Sequence, residues 1–384
     1  MKTRRFLGWV AMATMVLSTG CSSDEVVNDY SPENAIQFGT YVGRDAESRA
    51  SVITTETLKE AASKGFGVFA YYHKGETYKA GAAFTANFMN NQQVKWNTDK
   101  WEYTPLKYWP NNAGDKVSFI AYAPWQETFT LDDTGNGKYT YTVADEVTSQ
   151  IDLLWSKSQN FNITKQDIEG DVKFEFAHAL SKIGFTINAG IDLIEEGGTL
   201  DKNTTIYVDK VTLGSLYNKG TMDMSKETAG WSDRSGDVTY TWDYVKDGTA
   251  NELQNNILTF ETVFGEGEEL QLVKNDAYLM TIPQKDKKIT VTVTYRVFTK
   301  DENLTTPMDG ATALVPEKPD IAGSLVTNVI PVEISGQTFE PGKQYTYHII
   351  LGMTSVKVSA EVETWTDGSS HEDWYNENTK NKVF

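Results

Sequence analysis

The sequence predicts an all-β protein of the sandwich type, on three observations. Apolar and polar residues alternate with a period of two along most of the chain, Gly, Asn and Asp separate these runs, and no strand–helix alternation recurs. The last point argues against a Rossmann, flavodoxin or barrel architecture. At 384 residues the chain accommodates two or three domains, each able to bury a core.

The first twenty residues form a separate object. Lys2, Arg4 and Arg5 make a basic stretch and Phe6 to Leu17 an apolar one. The apolar stretch is too short for a bilayer span, which requires ~20 residues, so it reads as an export signal. Leu17-Ser18-Thr19-Gly20 then leads to Cys21, the only cysteine of the chain, so no disulfide can form within it. A sole cysteine after a small residue at the end of an export signal is the expected lipidation site. Lipoprotein signals usually place Leu three residues before the cysteine; here Ser18 holds that place and Leu17 stands one further back. Cleavage before Cys21 removes three positive charges and no acids, taking the net charge from −18 to −21. So acidic a surface repels nucleic acid, and the membrane is expected to be met through the lipid anchor alone.

The polar run from Ser22 to Asn34 reads as a tether. Ile36 and Phe38 begin the first alternating run. The one well-signalled helix starts at a capping box, Thr57-Leu58-Lys59-Glu60, continues through Ala61 and Ala62, and closes at Gly65 in a left-handed conformation. Phe66 to Tyr72 is apolar on both faces, which predicts a central strand. Later runs are Val172-Phe174-Phe176, Ile183-Phe185-Ile187, Ile289 to Val297 and Val356 to Val362. The expected division is a signal at 1–20, an N-terminal unit at 21–168 and a C-terminal unit at 169–384, with the border in the polar stretch Ser156 to Gly170 before a strand at Val172. Lys226 to Asn256 and Asp301 to Asn328 read as long surface loops.

Chemistry-bearing constellations are scarce. The four histidines, His73, His178, His348 and His371, have no metal-ligand spacing, and no cysteine is left for nucleophilic chemistry. Nucleophile-elbow and phosphate-loop motifs are lacking. Asp132 to Gly137 has the start of a calcium loop, but Val143 stands where the bidentate Glu belongs, so it reads as a hairpin turn. The reading is a non-enzyme with no catalytic residue, no cofactor and no metal.

Three blocks carry a family resemblance. Lys107-Tyr108-Trp109-Pro110 followed by Val117 to Pro124, then Phe174 to Phe185 (FEFAHALSKIGF), then Phe339 to Tyr347 running through Leu351 to Val362 and Trp365, are similar, in order, to fimbrillins, subunits of the type V pili of Bacteroidales. Ser22-Ser23-Asp24-Glu25 after Cys21 likewise resembles the surface-export signal of Bacteroidota lipoproteins. The resemblance implies two tandem transthyretin-like β-sandwich domains, display on the outer membrane or in a fimbrium, and polymerisation with other fimbrial subunits by strand exchange. In that scheme an arginine-specific protease removes a first strand, here containing Ile36, Phe38 and Val42. The cut follows Arg49, or Arg44, and leaves a groove for a neighbour's strand. The tail after Trp365 is mostly polar and a poor donor strand, which favours a tip or accessory adhesin over a wall-anchored stalk precursor, the other role left open, with a receptor on a host or bacterial surface. The alternative is a surface glycan-binding lipoprotein that never polymerises, with exposed Trp231, Trp242 or Tyr244 stacking on sugars.

Overall fold

A computed structural model of the chain describes residues 34–42, 53–132, 137–156, 160–168, 170–189, 204–226, 230–243, 257–258, 270–271, 278–300, 323–352 and 354–364. Strands dominate them. The first half holds β1 (Phe38–Val42), β2 (Phe66–His73), β3 (Met89–Asn97), β4 (Lys100–Glu102), β5 (Lys116–Ala123), β6 (Lys138–Thr142), β7 (Leu154–Ser156), β8 (Asn160–Ile163) and β9 (Val172–His178). The second half holds β10 (Ser181–Ala189), β11 (Thr204–Leu216), β12 (Lys219–Asp223), β13 (Gly230–Ser235), β14 (Val238–Asp243), β15 (Ile257–Leu258), β16 (Leu270–Gln271), β17 (Leu279–Thr281), β18 (Gln284–Lys300), β19 (Gly323–Phe339), β20 (Lys343–Leu351) and β21 (Val356–Thr364).

The first sheet runs β1-β9-β7-β5-β2-β3-β4, with β8 also on β5. Its central strands are apolar on both faces because both faces are covered. Phe66, Val68 and Ala70 of β2 join one core with Val117, Phe119 and Ala121 of β5; Phe69, Ile120 and Tyr122 point into another. The two edges of the sheet meet around the first of these cores, where Phe38 of β1 lies 5.3 Å from Tyr103, just past β4.

The second half packs two sheets face to face: β16-β10-β20-β21, with β17 on β10, against β14-β11-β18-β19, with β15 on β11. Period-two patterning is explicit here. Ile289, Val291, Val293, Tyr295 and Val297 of β18 are all buried, as are Tyr345, Tyr347, Ile349 and Leu351 of β20, and they fill the layer between the sheets. The halves also share structure, since β6 pairs with β12 in the small sheet β13-β12-β6. The core on that side joins Phe69, Tyr122, Phe129 and Trp155 to Met222, Trp231 and Ile282.

Four sequence expectations change in detail. Asp301 to Asn328 is not all loop, since β19 begins at Gly323. The helical segment begins earlier: α1 (Thr55–Lys59) is capped by Thr54, whose hydroxyl accepts the Thr57 N–H at 3.2 Å while Thr57 Oγ1 accepts the Thr54 N–H at 2.7 Å. A separate 3-10 turn, Ala61–Ser63, follows, and Lys64 (φ 60°) and Gly65 (φ 71°) both adopt the left-handed conformation that ends it. The strand at Val172 pairs with β1 and β7, so it belongs to the first sheet, and the chain passes to the second half at Ala179-Leu180. Lys226 to Asn256 is not wholly loop: it carries β13 and β14, whose polar residues suit an edge position. Among the described residues no helix is long and apolar enough to cross a membrane.

Candidate functional site

The candidate site is the seat of β1. Ile36, Phe38 and Val42, named from the sequence, come together here, all buried. The strand lies parallel to β9, with Phe38, Thr40 and Val42 opposite Val172, Phe174 and Phe176. No second strand pairs with it among the described residues. Its hydrogen bonding along one edge is therefore the whole of its ladder.

The aromatic content of the region explains why so short a strand is held. Phe38 sits among Phe66, Tyr103, Phe119 and Phe174, with ring centroids 5.3–6.3 Å away and mostly edge-to-face or tilted geometry. Full burial of such a side chain contributes about 1.5–3 kcal/mol. Upstream, the Ile36 N–H donates to the Lys107 carbonyl at 2.9 Å and the Trp109 N–H to the Asn34 carbonyl at 3.0 Å, so Lys107-Tyr108-Trp109 grips the approach to β1. The buried Tyr103 hydroxyl donates to the Ile36 carbonyl at 2.9 Å. Burial raises its pKa to about 12, so the phenol stays protonated and able to donate.

The other end of β1 is tied just as definitely. Thr55 Oγ1 accepts from the Val42 N–H and donates to the Val42 carbonyl. Two residues earlier, the Ile53 N–H donates to Asp152 Oδ2 at 3.1 Å, and that buried carboxylate also meets His178 Nδ1 at 3.0 Å. His178 is thus a hydrogen-bonded residue at the end of β9, and Asp152 ties that end to the start of the α1 segment. The ends of the segment between Val42 and Ile53 are fixed on the body of the protein. Arg44 and Arg49 fall within that segment and lie outside the described residues, as does Cys21.

Sequence reasoning missed Tyr103, Thr55 and Asp152. Each acts across 13 to 99 residues of sequence, and only the family blocks around Trp109 and Phe174 gave any signal of the pocket.

The aromatics named for sugar stacking are placed otherwise. Trp231 is buried in the core shared by the two halves, and its Nε1 donates to the Ala179 carbonyl at 2.8 Å. Trp242 is half-buried against Phe185, at 4.9 Å and 74°. β13 and β14 turn these rings inward because their polar residues occupy the outer faces, so neither ring is an open platform. Tyr244 lies outside the described residues. Among the described residues no cluster of three or more His, Cys, Asp or Glu side chains is arranged to hold a metal.

Comparison with known proteins bears on the whole chain. Residues 49–365 match the family model described as fimbrillin-like. The chain is 27% identical over 388 residues to the fimbrium subunit Fim1C of Phocaeicola vulgatus, covering 94% of this chain and 96% of that protein. The crystal structure of a fimbrial protein from Bacteroides vulgatus superposes with a TM-score of 0.62 at 23% identity, over 86% of this chain and 99% of the other, a likeness of fold. With four-fifths of its length inside the family model, this chain belongs to the fimbrillin-like family.

Proposed function

We propose that the protein is a surface fimbrial subunit for cell adhesion, a structural rather than catalytic component, which is assembled when β1 is cut free and a neighbouring subunit's strand takes its place. The observation that carries this reading is the seating of β1: paired with another strand along one edge only among the described residues, yet supplying Phe38 to the middle of an aromatic core. Removing it leaves the outer N–H and C=O groups of β9 unpaired and opens a cleft lined by Phe66, Tyr103, Phe119 and Phe174. An extended segment satisfies the backbone and the apolar surface together. The fimbrial identity of the relative from Phocaeicola vulgatus supports the same reading.

In this reading the chain is exported, lipidated at Cys21 and displayed at the cell surface, with the membrane reached only through the lipid. An arginine-specific protease cuts after Arg49, between the tied ends at Val42 and Ile53, and Arg44 is the second candidate. The two halves of the chain act as tandem sandwich units. The mostly polar residues after Trp365 are a poor match for a donor strand, and this supports reading the chain as a strand acceptor in a tip or accessory role, with a receptor on a host or bacterial surface.

Brief treatment of the purified full-length chain with an arginine-specific protease tests this. The expected products are a new N-terminus at Ala50 and, with subunits present, a ladder that survives mild detergent and is lost on boiling. Resistance at both arginines, or a cut chain that stays single, overturns the proposal. N-terminal analysis of protein from intact cells tests Cys21 in parallel: a blocked, lipid-bearing cysteine is expected, and a free N-terminus elsewhere before Ala50 removes the anchor.

A further inference from the structure

β1 is a poorer occupant of its seat than the seat allows. Of its three inward residues, Phe38 and Val42 are apolar side chains in an apolar core, but Thr40 is not matched. Its Oγ1 is shielded from solvent and has no hydrogen-bond partner. Elsewhere the sheets pair such hydroxyls: Thr186 with His348 Nδ1 at 2.9 Å, Thr204 with Thr299 at 3.1 Å, and Thr140 with Thr221 at 3.3 Å. Thr40 holds the one buried hydroxyl of a Ser or Thr left unpaired among the described residues. Valine has nearly the same shape and no hydroxyl to desolvate.

The neighbouring position shows the same deficit. Glycine within a strand weakens it unless a close approach or a positive φ requires it. At Gly39 neither does: a Cβ there would meet its nearest atoms, on Lys173 and Asp171, at 3.6 Å and beyond, and φ is not in the left-handed region. Two adjacent residues thus weaken β1 without structural need.

Building on the strand replacement proposed above, we infer that β1 is a weakened placeholder, and that the subsite beside Phe174, now filled by Thr40, selects a β-branched aliphatic residue in the strand that replaces it. The partner is thereby specified by chemistry: an extended segment with an aromatic residue at the Phe38 position and a valine or isoleucine two positions on. The orphan hydroxyl gives the incoming strand its advantage, and the intact linker keeps β1 in place until it is cut.

The test uses the full-length chain in two arms. In the first, Thr40→Val is expected to raise the melting temperature by several degrees, while Thr40→Ser, which keeps the hydroxyl, gives no rise. In the second, the chain is cut with an arginine-specific protease and offered labelled peptides with the sequence of residues 34–42, either as they stand or carrying Thr40→Val. The valine peptide is expected to enter about ten- to a hundredfold more effectively, the range set by one desolvated hydroxyl. Equal entry of both peptides, or no thermal gain from Thr40→Val, overturns the inference and leaves strand replacement standing. If neither peptide enters the cut chain, strand replacement itself falls, and the melting temperatures still decide whether Thr40 weakens β1.

Discussion

Thr55 Oγ1 accepts the Val42 N–H at 2.9 Å and donates to the Val42 carbonyl at 3.1 Å, so one side chain of α1 closes both backbone groups at the end of β1. β1 ends at Val42, and this clasp holds the backbone of its last residue. Thr55→Val keeps the shape, leaves the Thr54 cap of α1 intact and removes both hydrogen bonds. At roughly 0.5–1.5 kcal/mol each, the variant is expected to lose about 1–3 kcal/mol in urea unfolding. After arginine-specific cleavage, the β1 peptide should leave the body about tenfold faster or more, followed by mass spectrometry. An unchanged release rate would mean the clasp does not hold the strand.

Tyr103 couples the grip on β1 to alkaline pH. Tyrosine ordinarily titrates near 10, and burial pushes Tyr103 up to about 12, so the folded state holds the phenolic proton more tightly than the unfolded chain. The stabilisation is complete below pH 10 and is lost as pH rises from 10 through about 12, at roughly 1.4 kcal/mol per pH unit for one proton. Tyr72, held up to about 12 by its hydrogen bond to Asp115, and Tyr345, raised to about 12 by burial, titrate in the same window. The measurement is therefore the difference between wild type and Tyr103→Phe. At neutral pH the variant is expected to lose about 0.5–1.5 kcal/mol with the hydrogen bond to Ile36. Between pH 10 and 12 its stability should fall less steeply than wild type by one proton's worth.

Asp152 receives the Ile53 N–H and His178 on one buried carboxylate. Asp152→Ala takes the acceptor from both, and with about 1–3 kcal/mol for each buried donor left wanting, a loss of about 2–4 kcal/mol is expected. Asp152→Asn keeps a carbonyl oxygen for Ile53 and should recover more than half of that loss. Equal effects from the two variants would show that the charge, not the hydrogen bond to Ile53, matters here.

Which parts of this architecture could be read from residue order follows from what repeats locally. Ile289 to Val297 declares its strand because its buried residues recur at the period of the pleat, and Phe66 to Tyr72 because an unbroken apolar run suits a strand covered on both faces; both are found as expected. The pairing of strands into sheets leaves no such mark. Val172 to Phe176 was legible as a strand, but its membership of the first sheet depends on partners more than a hundred residues away at Phe38 to Val42. β13 and β14 resemble loop in sequence because GWSDRS and VTYTWD carry Gly, Ser and Asp at edge positions that need little apolar surface. The helix start was displaced because Thr54 and Thr57 offer a second capping pattern overlapping Thr57 and Glu60, and the tie from Ile53 to Asp152 fixes the chain just before Thr54. For the site, the apolar residues of β1 were evident and the polar clasps were not.

Trp231 decides between a packing role and a sugar platform by what its removal costs. The ring lies against Gly220, where a Cβ would come within 3.0 Å of Cε3, and its Nε1 holds the Ala179 carbonyl at the point where the chain crosses from β9 to β10. Trp231→Ala empties a large site in the core that joins the two halves and is expected to cost about 3–5 kcal/mol. Trp231→Phe retains much of the ring but forfeits the hydrogen bond to Ala179, and should cost about half as much. A platform residue would behave in the opposite way, leaving urea unfolding unmoved and abolishing retention on a polysaccharide gel. Because the Ala179 carbonyl belongs to the connection out of β9, loss of Trp231 should also loosen the strand on which β1 rests. Hydrogen exchange in Val172–His178 is then expected to quicken in Trp231→Ala even under conditions where the rest of the first sheet stays protected.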